Sequence, residues 1–98
     1  MTNIYQLIDY SKDGVLSKDI VKKDGLNVTL FCMAKGTEIS EHTSTKEGFV
    51  YVVEGKGNFN LKGENILMSP GTFIYMGGNA VHSLKAEADT SFLLILKT

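Results

Sequence analysis

Very little in this sequence can crosslink the chain, insert it into a membrane or draw it to a polyanion. Cys32 is the only cysteine among 98 residues, so no internal disulfide forms, which fits a reducing compartment. It lies within Thr29-Leu30-Phe31-Cys32-Met33 with no polar activator beside it in sequence, and this predicts a buried, inert thiol rather than a nucleophile. Ten basic residues against 11 acidic ones leave a net charge of -1. The Lys22-Lys23 pair is the only local basic feature and reads as a solvated turn, so nucleic acid is not an expected partner. No apolar run approaches the roughly 20 residues that span a bilayer. The opening Met1-Thr2-Asn3-Ile4-Tyr5-Gln6 lacks the cationic start and apolar run of a secretory signal. The expected setting is therefore cytoplasmic, with no membrane partner.

Helical patterning is also scarce. No long segment places apolar residues three and four apart, and at most Ile4 to Tyr10 form one helical turn before the first strand. What the chain has instead is dense turn punctuation: Lys12-Asp13-Gly14, Lys23-Asp24-Gly25, Ala34-Lys35-Gly36, Glu54-Gly55-Lys56-Gly57, Lys62-Gly63, Ser69-Pro70-Gly71 and Gly77-Gly78-Asn79. The sole proline, Pro70, falls in one of these turns, where its missing N–H is harmless. Short runs rich in Val, Ile, Phe, Tyr and Leu separate the turns, the pattern of an all-β sandwich or barrel. The strands are expected at Val15 to Lys22, Asn27 to Met33, Glu38 to His42, Phe49 to Glu54, Asn58 to Leu61, Asn65 to Met68, Thr72 to Met76, His82 to Ala86 and Ser91 to Lys97. With 43% hydrophobic residues and no linker, repeat or low-complexity stretch, the chain is one globular domain over residues 1–98.

Two strands depart from simple alternation. Phe49-Val50-Tyr51-Val52-Val53 and Phe92-Leu93-Leu94-Ile95-Leu96 are apolar on both faces, whereas a strand with one wet face should alternate. Either a second layer of the same chain or another subunit covers them, and a homodimer is the expectation.

The two histidines occur in related surroundings. His42 ends Gly36-Thr37-Glu38-Ile39-Ser40-Glu41-His42, ahead of an apolar strand that closes at Glu54-Gly55. His82 ends a run that starts at Gly71 and passes through Gly77-Gly78-Asn79-Ala80-Val81. This double pattern resembles the two motifs of the cupin superfamily: first a glycine, five residues, His-x-His, three or four residues, Glu, six residues and Gly; then a glycine, five residues, Pro-x-Gly, two residues and His. Gly36, His42 and Gly55 match the first motif, over about residues 36–55. Gly71 and His82 match the second, over about 71–82, with Gly77 in place of proline and Asn79 in place of glycine. The resemblance implies a small jelly-roll (cupin) β-barrel.

In that family a metal is usually held by two histidines and a glutamate of the first motif and a histidine of the second. Ser44 stands at the second histidine position here, and Gly48 at the glutamate position. A serine hydroxyl is a poor ligand for a borderline divalent ion. Glu47 adjoins the glutamate position, but one residue along a strand turns a side chain to the other face, unless a bulge at Gly48 restores it. The metal candidates are thus His42 and His82, with Glu47 as a weak third donor and Glu41 as another, for a divalent transition metal (Zn, Mn, Fe or Ni). No cofactor is certain. The ligand pocket is expected at His42, Ser44, Val50, Val52 and His82, rimmed by the loop Thr43-Ser44-Thr45-Lys46-Glu47. Phe31, Met33, Tyr51, Phe59, Tyr75, Met76 and Phe92 can supply its walls, most of them being plain core. Gly55-Lys56-Gly57 and Gly77-Gly78 read as hairpin turns rather than phosphate cradles, since no Lys-Ser/Thr ending or helix follows.

Three functions compete. The first is a small-molecule-binding domain, in which an apolar barrel cavity and two imidazoles form the ligand site. The second is a metal-dependent enzyme of dioxygenase, isomerase or decarboxylase type, acting on a small oxygenated substrate. The third is a structural dimerisation unit. No catalytic residue is assigned from the sequence.

Overall fold

The structure, a computed structural model, describes residues 2–98. Nine strands follow one helical turn, Ile4–Leu7: β1 (Val15–Lys23), β2 (Leu26–Met33), β3 (Glu38–His42), β4 (Gly48–Glu54), β5 (Gly57–Leu61), β6 (Glu64–Met68), β7 (Phe73–Met76), β8 (His82–Ala86) and β9 (Thr90–Lys97). Every expected strand is present, and turn chemistry sets its ends. Between β5 and β6, Lys62 (φ 51°) and Gly63 (φ 85°) are both left-handed, the primed two-residue turn that matches strand twist. The helical turn starts where Asn3 Oδ1 accepts from Tyr5 N at 3.0 Å and stops at Leu7, because Ile8 is already extended. It is shorter than the Ile4 to Tyr10 limit set by the sequence.

The strands form two antiparallel sheets, β1-β2-β9-β4-β7 and β3-β8-β5-β6, packed face to face as a jelly roll. Their inner faces interlock Met33, Val50, Val52, Phe59, Met68 and Phe92 into one core. Gly55 closes the turn after β4 at φ 108°; a Cβ there would come within 2.5 Å of the Asp89 carbonyl oxygen and Thr90 Cα, so only glycine fits.

The two-sided strands β4 and β9 are neighbours inside the five-stranded sheet. Part of their outer face is covered by the chain's own start. Lys18 Nζ donates to the Leu7 carbonyl at 2.6 Å, and Tyr10 OH donates to Glu54 Oε2 at 2.9 Å. Leu30, Cys32 and Ser91 are fully buried. Cys32 is thus the enclosed thiol that its surroundings predicted. The other part of the face opens to solvent: Phe73 and Tyr75 are 59% and 52% exposed, and the Phe49 ring packs 5.1 Å and 5.6 Å from theirs.

Candidate functional site

His42 and His82 are direct cross-strand partners on β3 and β8. Strict alternation from the inward Ile39 would turn Glu41 inward and His42 outward. The pairing slips between Ile39 and His42: three steps along β3 face two along β8. That bulge, at Ser40-Glu41, re-aims His42 into the barrel. The ring centres lie 4.1 Å apart at 61°, edge to face, and His82 also stacks on Phe59 at 5.8 Å and 3°.

Each imidazole is tied down by its own backbone. His42 Nδ1 lies 2.8 Å from the Ser40 carbonyl oxygen, and His82 Nδ1 lies 2.9 Å from that of Ala80. A carbonyl only accepts, so in the neutral ring Nδ1 carries the proton and Nε2 keeps a free lone pair. Nε2 has no protein partner in either ring among the described residues. His82 is buried, which pushes its pKa below the ordinary value; the nearby His42 ring adds to this, and the Ala80 carbonyl opposes it. His42 is exposed and stands at the mouth.

The rings share a cavity of about 70 Å³. The four-stranded sheet contributes His42, His82, Ile39, Phe59 and Leu84; the five-stranded sheet contributes Phe31, Val50, Met76, Phe92 and Leu94. Apart from the two imidazoles the walls are apolar. A cavity that encloses benzene measures roughly 150 Å³, so this one takes a head group of a few atoms, with anything larger passing out beside His42.

Of the five pocket residues expected from the sequence, the structure brings His42, Val50 and His82 to the cavity and leaves out Ser44 and Val52. The Ser44 hydroxyl accepts from Lys46 N at 3.1 Å, capping its own turn, while its carbonyl receives Asn79 N at 2.6 Å. Ser44 therefore ties the loop of residues 43–47 to that of 77–79 rather than facing the ligand space. Val52 points inward but one step deeper, opposite Phe92, and is sealed in the core. Glu47 is a correction of the same kind: it is exposed and accepts from Tyr75 OH on the outer face. Gly48 forms no bulge that would rotate it inward, since β4 pairs in register from Gly48 to Tyr51 with β7. Glu41 sits in the β3 bulge, exposed. Phe31, Phe59, Met76 and Phe92 do line the cavity, whereas Met33, Tyr51 and Tyr75 do not. Ile39, Leu84 and Leu94 were not foreseen as lining. Leu84 and Leu94 follow by strand alternation from His82 and Phe92; Ile39 was concealed by the bulge.

The donor set does not fit the metal centre that the sequence resemblance implies. Catalytic zinc takes three protein ligands, and no group of three His, Cys, Asp or Glu stands together among the described residues. Two imidazoles on one tetrahedral ion, at about 2.1 Å each, hold their ring centres roughly 5 Å apart; here they touch at 4.1 Å. The arrangement can accept hydrogen bonds at two Nε2 atoms or relay a proton between a ligand and water.

Fold and paired histidines together define a cupin. The cupin domain family matches residues 29–96, and the chain belongs to that family. Among solved structures, it is similar to a conserved protein of unknown function from Streptococcus pyogenes (TM-score 0.90, 26% identity, covering 100% of this chain and 86% of that one). It is also similar to KdgF from Halomonas (TM-score 0.82, 21% identity, 91% and 83% covered). A third likeness is to the salicylate 1,2-dioxygenase of Pseudoaminobacter salicylatoxidans (TM-score 0.80, 20% identity, 86% of this chain but 26% of that one). The last two show a shared fold alone. A search of curated proteins gives no significant match.

Proposed function

We propose that this protein is a small-molecule-binding domain that holds the head of its ligand against the paired rings of His42 and His82. One observation carries the reading: both imidazoles line one otherwise apolar cavity and are locked through Nδ1 to backbone carbonyls, leaving each Nε2 without a partner among the described residues. Each Nε2 keeps a lone pair that a donor on a ligand can use. The pocket's small volume makes the ligand, or the part of it that enters, compact.

A metal-dependent enzyme of dioxygenase, isomerase or decarboxylase type is the second reading, favoured by the fold shared with a dioxygenase. Among the described residues no third protein donor joins the two imidazoles, and Glu47 is committed to Tyr75. Our reading also includes a homodimer formed through the exposed Phe49, Phe73 and Tyr75 face, in the cytoplasm, with neither nucleic acid nor membrane as partner.

A fragment screen by thermal shift, run with and without a chelator, tests the proposal. Compounds that raise Tm equally in both conditions, and lose that effect in His42→Ala, are the expected result. Stabilisation that appears only with added metal would transfer the case to the second reading.

A further inference from the structure

We infer that the cavity selects an uncharged hydroxyl head group, best a vicinal diol, over a carboxylate or phosphate, with the hydroxyls donating to Nε2 of His42 and His82. The inference rests on the cavity being a ligand site and specifies what that site takes.

Hydrogen-bond direction decides the class. Each neutral ring has one N–H, and both are spent on carbonyls, Ser40 at 2.8 Å and Ala80 at 2.9 Å. What faces a ligand is therefore two acceptors and no donor. A carboxylate or phosphate is acceptor-only when ionised and finds nothing to bond. A hydroxyl donates, and two adjacent hydroxyls satisfy both rings. The cation count points the same way. No lysine lines the cavity, and all ten basic residues of the chain are lysines, so the planar donor fork that usually grips carboxylates is absent from the sequence.

An anion would have to bring a proton to one imidazole. Desolvating an alcohol costs far less than desolvating a carboxylate, and the surrounding Phe31, Phe59, Leu84 and Phe92 suit the carbon part of an alcohol. Size sets the remaining limit. About 70 Å³ admits a two-carbon diol head, with the rest of the ligand leaving past the exposed His42.

The test compares butane-1,2-diol with butyrate on chelator-treated, ¹⁵N-histidine-labelled protein at pH 8, where free imidazole is neutral. Binding is followed through the imidazole nitrogens. The expected result is saturable diol binding at least tenfold tighter than butyrate, with Nε2 of both rings shifting. His42→Phe keeps the aromatic contact but removes one acceptor, and should weaken the diol about five- to tenfold. His42→Gln returns an acceptor oxygen and should recover part of that loss. Butyrate binding as tightly as the diol, or His42→Phe leaving the diol unaffected, overturns the inference while leaving the ligand-site reading intact. Failure of both compounds to bind overturns the two together.

Discussion

Replacing Gly48 with alanine probes how the barrel is closed beside the histidines. Gly48 is buried at the start of β4, paired with Leu96 of β9 and Met76 of β7. A Cβ there would lie 2.5 Å from the Ile95 carbonyl oxygen and 2.6 Å from Leu96 Cδ2. The leucine methyl can rotate away. The carbonyl cannot, because Ile95 is locked between Val28 of β2 and Phe49 of β4. Relief requires β4 and β9 to part locally. Overpacking of this kind costs about 1–3 kcal/mol, and each weakened ladder hydrogen bond adds about 1 kcal/mol. Gly48→Ala should therefore lose about 2–4 kcal/mol, a fall in Tm of roughly 10 °C or more in a domain this small. Gly77→Ala is the control: a Cβ there meets nothing within 4 Å, so its effect should stay within about 0.5 kcal/mol. Urea unfolding followed by far-UV circular dichroism measures both. A Gly48→Ala variant as stable as Gly77→Ala would refute the steric argument. The collision bears on chemistry too, since a glutamate placed at position 48 meets the same carbonyl and cannot complete a metal site without prying the strands apart.

Other perturbations follow from the same geometry. The pKa of His82 is lowered by burial, so between its folded value and the unfolded one, about 6.5, the unfolded chain binds more protons. That contribution to stability is fully present above about pH 6.5 and is lost as pH falls through this window; His82→Gln should flatten the slope, and an unchanged slope would contradict the assignment. The Tyr10 hydroxyl is pushed up to about 12, first by burial and then by Glu54, while the neighbouring Ser91 hydroxyl works against the shift. Stability should therefore fall as pH rises from 10 towards 12, and ultraviolet titration should show a late tyrosine component that Tyr10→Phe removes. Phe73→Asp places a charge on the exposed aromatic face and should convert a dimer to a monomer in light scattering, whereas a wild-type chain that is monomeric at high concentration refutes the dimer outright.

Much of this architecture was legible because turns and strands announce themselves locally. Lys62-Gly63 and Asp24-Gly25 leave little choice about where the chain reverses, and both ends of all nine strands fall within one residue of expectation. The site was legible only to the extent that strands alternate regularly. His82, and with it Leu84, obeys that rule. His42 reaches the cavity only through the β3 bulge, and a bulge leaves no mark on the periodicity of so short a strand. Ser44 and Val52 were misplaced for opposite reasons. Ser44 satisfies its own turn, a choice among local hydrogen bonds that spacing does not reveal. Val52 faces inward as expected, but depth along a strand depends on how the two sheets cross. The apolar double face of β4 and β9 was visible in the sequence; that the N-terminal segment reaches one part of it, through Tyr10 and Glu54, depends on a contact far apart along the chain.

Selection of a hydroxyl ligand turns on where the histidine protons sit. Long-range ¹H–¹⁵N correlation of the metal-free protein at pH 8 reads this for each ring. The predicted result is Nδ1–H in both His42 and His82, with two unprotonated Nε2 atoms that move when a hydroxyl ligand is added. An Nε2–H tautomer in either ring would give the cavity a donor and contradict the account.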